Sequence, residues 1–251
     1  MAGHSHSANI KFRKDRVDSA RGKLFSKLAR EIMSAAKEGG GDPSANLRLR
    51  YGIDRARAAS MPRDNIERAV KKGCGDLDGD QFEEILYEGY GVGGVAVLLE
   101  ALTDNRNRTA PELRRVFEKR GGNLAANGAV AWMFERKGLF IVEREGALGE
   151  DEMMEVVLEV DAEDLLASEP VYEIRSAPDQ FHRVAKALED KGVVFAEAKL
   201  AWIPSNTVEV ADADKAASVL RLMQDLEDHD DVQAVSANYD IPDALMSEIG
   251  G

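Results

Sequence analysis

The sequence has 251 residues, of which 44% are hydrophobic and 31% charged, and its formal net charge is −13. This composition excludes a disordered or fibrous chain and is typical of a soluble globular protein. No apolar run approaches the roughly 20 residues that span a bilayer, and no apolar segment follows the basic residues near the N-terminus, so we expect a cytoplasmic protein without a membrane partner. The single cysteine, Cys74, excludes an intramolecular disulfide and a cysteine-based zinc site.

The charge is divided unevenly along the chain. Residues 1–75 hold 17 Lys and Arg against 8 Asp and Glu, a net charge of +9, whereas the remaining 176 residues hold 16 against 38. The sign changes at Gly73-Cys74-Gly75, and a polar segment follows, so we predict a basic domain over 1–75. Positive charge confined to one domain favours a nucleic-acid partner over simple solvation of helix faces.

Apolar spacing predicts three short helices in this domain, ending near Lys37, Ala59 and Gly73. The first helix has a core face made of Leu24, Phe25, Leu28, Ile32, Ala35 and Ala36. Its opposite side carries cations within one arc, which we call the basic stripe: Lys23, Lys27, Arg30 and Lys37. A stripe of this kind can follow the phosphates of a nucleic acid.

Other cations extend this candidate nucleic-acid-binding surface. The N-terminal arm contributes Lys11, Arg13, Lys14 and Arg16, and the second helix contributes Arg48, Arg50, Arg55 and Arg57. The alternative interpretation is that all these side chains only solvate helix faces.

The acidic remainder alternates strands and helices. Two strands flank the glycine-rich segment 89–94, which we interpret as a hairpin turn because a dinucleotide fingerprint would need a helix after it. A helix beginning at Thr109 and a strand over 130–134 follow, then a second set of strands and helices to about residue 204. The C-terminal segment from about residue 207 again combines extended and helical stretches, and we expect it to pair back with residues 80–134.

The predicted fold class is therefore α+β, with a helical bundle domain followed by two small, ferredoxin-like α+β domains. The predicted boundaries are 1–75 for the basic helical domain, 76–135 with 205–251 for the middle domain, and 136–204 for an inserted domain.

The densest polar segment, residues 103–109, joins a strand to a helix. Arg106 and Arg108 are candidates for contacts to phosphates or base edges. A turn and capping network, with Thr109 as the helix cap, is an equally good interpretation.

No catalytic or metal-binding pattern emerges from the residues. His4, His6, His182 and His229 lack metal-ligand spacing, and no histidine lies near Cys74 in sequence to activate its thiol. Residues 76–80 resemble a calcium loop but lack its later glycine and glutamate. We predict no enzyme activity, cofactor, metal or small-molecule substrate; a metal-dependent nuclease or hydrolase is the weakest alternative.

Ordered blocks spanning nearly the whole chain resemble the YebC family. They are Gly40-Gly41-Asp42-Pro43, Met61-Pro62, Asp64-Asn65-Ile66-Glu67-Arg68-Ala69, Tyr87-Glu88-Gly89-Tyr90-Gly91, Leu102-Thr103-Asp104-Asn105-Arg106-Asn107-Arg108-Thr109, Gly121-Gly122-Asn123-Leu124 and Trp132-Met133-Phe134-Glu135. This family includes the mitochondrial translational activator of cytochrome c oxidase subunit I.

The resemblance implies three domains, an N-terminal helical one and two α+β domains around a cleft, and it implies a regulator of gene expression without enzyme activity. Some members are described as transcriptional regulators that bind DNA, and others resemble ribosome-associated translation factors that assist synthesis through proline-rich stretches. The implied partner is therefore either DNA or ribosomal RNA, and in the second case the protein would bind the ribosome. The arm departs from the family pattern, because His6 and Ser7 replace the usual Lys-Trp and Phe12 replaces a histidine.

Overall fold

The computed structural model describes residues 21–75, 82–242, 245–246 and 249, and within these ranges the chain forms seven α-helices and ten strands. The helices are α1 (Arg21–Gly39), α2 (Leu47–Ala58), α3 (Arg63–Gly73), α4 (Arg106–Lys119), α5 (Glu150–Glu159), α6 (Phe181–Asp190) and α7 (Ala213–Glu227). The strands are β1 (Glu83–Tyr90), β2 (Ala96–Thr103), β3 (Asn123–Leu124), β4 (Phe134–Glu143), β5 (Asp164–Ser168), β6 (Val171–Ser176), β7 (Glu197–Pro204), β8 (Val208–Glu209), β9 (Val232–Ala237) and β10 (Tyr239–Asp240). The α+β class predicted from the sequence is confirmed.

The described residues divide into two compact units. The first contains residues 21–75, 82–131 and 214–237, and the second contains 132–213 together with the residues from 238 onward. The finer division into three domains with boundaries at 75, 135 and 204 stays a prediction.

In the first unit, α1, α2 and α3 form a helical bundle, hereafter the helical domain. Its core contains the side chains that the apolar spacing placed inward: Leu28, Ile32, Ala35, Ala36, Leu49, Ile53, Ala56, Ile66 and Ala69. At Gly73, a Cβ atom would lie 2.4 Å from the carbonyl oxygen of Met33, so only glycine lets α3 approach the backbone of α1 here.

The second helix begins later than apolar spacing indicates. The sequence suggests a start just after Pro43, but α2 begins at Leu47, because Asn46 caps it. The Asn46 side chain accepts a hydrogen bond from the Leu49 N–H at 3.0 Å and donates to the carbonyl oxygens of Ala35 and Gly40. This buried amide therefore ties the start of α2 to the end of α1.

The rest of the first unit is a four-stranded antiparallel sheet in the order β3-β1-β2-β9, with α4 and α7 in the connections. The predicted hairpin between β1 and β2 is confirmed, and its turn has positive φ at Gly93 and Gly94. The predicted return of the tail is also confirmed, since β9 pairs with β2.

The strand predicted over 130–134 is wrong. A single turn of 3₁₀ helix occupies Ala131–Met133, and β4 begins only at Phe134. The cause is the buried carboxylate of Glu88, which accepts hydrogen bonds from the backbone N–H groups of Gly128, Val130 and Ala131. Burial raises the pKa of Glu88, but these donors outweigh it and the net pKa is lowered. N–H groups paired with a carboxylate cannot join a strand ladder.

The second unit contains a sheet in the order β5-β6-β4-β7, with every neighbouring pair antiparallel. Its chain order, β4-α5-β5-β6-α6-β7, is the split βαβ arrangement of ferredoxin-like domains. The rings of Phe140 on β4 and Phe181 on α6 stack at 5.0 Å, so the helix packs on one face of this sheet. The sequence analysis missed β5, and the short strands β8 and β10 pair with each other in parallel.

Candidate nucleic-acid interface

Three cations of the predicted basic stripe lie against another part of the first unit. Lys23 and Lys27 donate to the carbonyl oxygens of Asp228 and Glu227, the former at 3.3 Å. Arg30 donates to the carbonyl oxygen of Asp230 at 2.6 Å. These acceptors are the last residue of α7 and the turn that follows it, where the helix dipole is negative and carbonyl groups lack helical partners. The sequence analysis placed the stripe away from the helical core but did not foresee this contact.

The same contact includes a buried ion pair. The Arg30 guanidinium lies 2.8 Å from a carboxylate oxygen of Asp231, whose side chain is 2% exposed. The other Asp231 oxygen accepts from Thr109 at 2.7 Å, Arg108 at 2.9 Å and Thr103 at 3.1 Å. Burial raises the pKa of Asp231, but the Thr109 and Arg108 hydrogen bonds and the nearby cations outweigh it, so the net pKa is lowered. One carboxylate thus joins α1, β2 and α4.

Lys27 is a half-buried cation of the stripe. Burial lowers its pKa below the usual range of a lysine, even though Glu227, Asp228 and Asp230 act in the opposite direction. The shift indicates that the contact with the end of α7 removes water from this ammonium group.

The fourth stripe residue, Lys37, is exposed and donates to the carbonyl oxygen of Phe82 at 3.5 Å. Next to it, Arg48 forms ion pairs with Glu38 and with Glu84 of β1. Burial lowers the pKa of Arg48, but its hydrogen bond and charge interaction with Glu84 outweigh burial and the net pKa is raised. Both cations thus extend the contact between the helical domain and the first sheet.

The remaining α2 cations pair within the helical domain. Arg55 donates to both carboxylate oxygens of Glu31 at 2.9 Å, and Arg57 lies 3.2 Å from Asp54. Arg50 lies over the ring of Tyr51, 5.1 Å from its centroid. Exposed ion pairs such as Arg57–Asp54 contribute little to stability, so these side chains can exchange partners at small cost.

The sequence analysis missed the outward face of α3, which carries Arg68, Lys71 and Lys72. Arg68 and Lys71 are exposed and Lys72 is half-buried. Within the part of the chain that the structure describes, none of the three side chains makes a hydrogen bond or an ion pair. The clustering of Lys71 and Lys72 in the last turn of the helix was the available signal.

In the 103–109 segment, a side chain does cap the helix as predicted, but the capping residue is not the predicted one. Asn105, not Thr109, is the N-cap: its side chain accepts from the Arg108 N–H at 3.2 Å, and α4 begins at Arg106. Arg108 pairs with Asp104 and Asp231, both at 2.9 Å. Arg106 and Arg108 are both exposed, but among the described residues only Arg108 is paired with carboxylates.

The candidate arm cations Lys11, Arg13, Lys14 and Arg16 lie outside the described residues, as does the calcium-like segment 76–80. In the described ranges, no group of three or more His, Cys, Asp and Glu side chains could hold a metal ion. His229 is committed to internal contacts, because its Nδ1 accepts from the Asp231 N–H and its Nε2 lies 3.1 Å from Glu112. None of the described helices is long and apolar enough to cross a membrane.

Two family models match the chain. The model described as TACO1/YebC protein N-terminal domain matches residues 5–76, and that described as TACO1/YebC second and third domain matches residues 82–239. These two models together span most of the sequence.

Full-length relatives and a solved structure give the same result. A protein of Natranaerobius thermophilus is 54% identical over 98% of this chain and 99% of its own, and one of Aquifex aeolicus is 50% identical over all of both chains; each is named "probable transcriptional regulatory protein". The crystal structure of a conserved hypothetical protein from Aquifex aeolicus matches with a TM-score of 0.85 and 49% identity, covering 91% of this chain and 94% of that chain. With this identity along its whole length, the chain belongs to the TACO1/YebC family.

Proposed function

We propose that the protein is a non-enzymatic regulator of gene expression that binds DNA through its basic helical domain. Relatives that share about half of its residues are named "probable transcriptional regulatory protein", which favours this class of function. The domain that binds is, in this proposal, the predicted segment 1–75.

The observation that carries the proposal is the outward face of α3. Over residues 21–75 the sequence holds 13 Lys and Arg against 6 Asp and Glu, and most described cations of α1 and α2 already have internal partners. Arg68, Lys71 and Lys72 stand apart, because no described side chain neutralises them. Cations without internal partners keep their full charge for phosphate groups, which dominate the affinity of proteins for nucleic acid.

Binding through this face would depend on phosphates more than on bases. Lysine ammonium groups act as point charges and carry no sequence information on a phosphate. Sequence preference would then come from DNA shape and deformability. Arg106 is a second candidate contact, since it is exposed at the N-terminus of α4.

The test is the salt dependence of duplex binding by the full chain. We expect Arg68→Glu with Lys71→Glu to weaken binding and to reduce the slope of log K against log salt by about one for each phosphate that is no longer neutralised. The matched control is Lys186→Glu with Arg221→Glu, which changes the net charge equally at exposed positions of α6 and α7. Equal weakening of binding in both variants would mean that only total charge matters and that the α3 face is not the site.

The second candidate is a translation factor that binds ribosomal RNA and assists synthesis through proline-rich stretches. The exposed indole of Trp132, with 69% of its surface accessible, favours it, because aromatic rings that stack on unpaired bases are typical of RNA recognition. Sedimentation of cell lysate through a sucrose gradient, with and without RNase, separates the candidates. Co-migration with ribosomes that is lost at high salt supports the translation factor, whereas recovery only at the top supports the DNA-binding regulator.

A further inference from the structure

The helical domain and the first sheet are joined by polar contacts. Among the described residues, the apolar cluster of the helical domain contains only its own side chains, from Leu24 to Val70. The side chains that reach across to the sheet and α7 are instead cations and a hydroxyl: Lys23, Lys27, Arg30, Ser34, Lys37 and Arg48. An interface held by charges and hydrogen bonds exchanges readily with water and ions, unlike an apolar core.

Three of these cations form what we call the docking face: Lys23, Lys27 and Arg30, spaced at i, i+4 and i+7 on α1. Lys23 and Lys27 donate to carbonyl oxygens, which carry no net charge, whereas Arg30 also forms an ion pair with a carboxylate. Acidic side chains surround these acceptors, at Glu227, Asp228, Asp230 and Asp231. The turn after α7 therefore presents a row of oxygen atoms in an acidic environment to a row of cations, much as a phosphate backbone would.

A phosphate would be a better acceptor than most of those now present. The hydrogen bonds of Lys23 and Lys27 already have a charged donor, and a phosphate would also supply a charged acceptor in place of a neutral carbonyl group. The interface is also open to solvent, because Lys23 is exposed and Arg30 keeps about a fifth of its side-chain surface accessible. Phosphates can therefore reach the edge of the docking face without prior unfolding.

We propose that nucleic acid and the acidic turn after α7 compete for the docking face, so that binding of phosphates there releases the helical domain from the sheet. This proposal rests on the function proposed above. It divides the basic domain into two parts: the α3 face is available at all times, and the docking face becomes available only on release. The acidic turn then acts as an autoinhibitory contact that lowers the affinity of the closed form.

Release of the helical domain can be measured as a change in the distance between α3 and α4. Nitroxide labels are placed at Cys74, which is exposed at the end of α3, and at a Glu118→Cys substitution on α4, and pulsed electron paramagnetic resonance records their separation in the full chain. On addition of a short mixed-sequence duplex at low salt, we expect the distance distribution to broaden and shift to longer values. Duplex binding with an unchanged distribution overturns the competition and leaves the proposed function standing. Absence of duplex binding overturns both.

A second measurement uses matched charge variants. Glu227→Gln, Asp228→Asn and Asp230→Asn together remove the acidic environment of the turn while keeping its carbonyl groups. The control triple is Glu118→Gln, Glu145→Gln and Glu155→Gln, at exposed positions that do not belong to the turn. We expect the first triple to bind the duplex at least about fivefold more tightly than the control, the lower end of the usual coupling between linked sites. Equal affinities would show that the acidic turn does not compete.

Discussion

The docking face of α1 and the outward face of α3 have the same kind of charge on the same small domain, yet they have different surroundings. On α1, Lys27 donates a hydrogen bond to the end of α7, and Arg30 forms an ion pair with a buried carboxylate. Arg68 and Lys71 on α3 face solvent. A basic helix face is therefore not by itself a free surface, because a neighbouring domain with carbonyl groups and carboxylates satisfies cations as well as water does.

Asp231 should give the largest effect in this comparison. Asp231→Ala removes the acceptor shared by Arg30, Arg108 and two threonine hydroxyls, and we expect it to lower the free energy of unfolding by about 3 kcal/mol. Urea denaturation of both proteins measures the change. Asp230→Ala, at an exposed side chain one position earlier, is the control and should cost less than about 0.5 kcal/mol. Similar losses of stability in the two variants would contradict the role given to Asp231.

The same carboxylate should make the first unit sensitive to acid. The pKa of Asp231 in the folded chain lies below its ordinary value of 3.8, so its stabilising contribution is complete above about pH 4 and is lost as the pH falls through the lowered pKa. Denaturation curves are recorded at a series of pH values from neutral to below pH 4. As the pH falls through the lowered pKa, the natural protein should therefore lose stability more steeply than Asp231→Asn. Parallel curves would mean that other groups, such as Glu88, account for the acid response.

Arg30 allows a direct comparison of the two faces. Arg30→Gln loses its hydrogen bonds to Asp230 and Asp231 and should lower the free energy of unfolding by about 1–2 kcal/mol. Arg68→Gln on α3 removes a cation that contacts no described carboxylate and should change it by less than about 0.5 kcal/mol. If Arg68→Gln were as costly as Arg30→Gln, the α3 face would have a structural partner and would not be available for phosphates.

The double variant Arg68→Glu with Lys71→Glu should have only a small effect on stability. Both side chains are exposed, and reversal at Lys71, in the last turn of α3, loses the favourable interaction of a cation with the helix C-terminus, typically below about 1 kcal/mol. Thermal unfolding followed by circular dichroism, with Lys186→Glu and Arg221→Glu as the charge-matched control, tests this. A large fall in the midpoint would show that any weakening of nucleic-acid binding in this variant has a structural cause.

Much of the fold follows from local patterns. Apolar residues at helical spacing identified the buried side of α1 through Leu28 and Ile32, because a short amphipathic helix has to bury its apolar face. Glycines that allow positive φ marked the β1–β2 turn. The charge boundary near Gly73 also needed only counting, since the imbalance is a property of composition.

The candidate site was less predictable than the fold. The helical spacing of α1 separated the side chains that face the core from those that do not. It could not tell whether the latter contact solvent or the end of α7, which is about 200 residues away in sequence. Glu88 is a similar case. Its carboxylate accepts hydrogen bonds from the backbone N–H groups just before β4, so these groups cannot join the strand, and no local sequence pattern indicates this.

The sequence by itself determined the α+β class, the helical core and the concentration of positive charge in the first 75 residues, since these depend on composition and on spacing within single elements. Only the tertiary structure decided which cations are internally satisfied and which face solvent. The reason is that the acceptors for Lys27 and Arg30 are backbone carbonyls and the buried Asp231, brought to α1 by the pairing of β9 with β2. Long-range strand pairing of this kind leaves no periodic signal around the residues that it brings together.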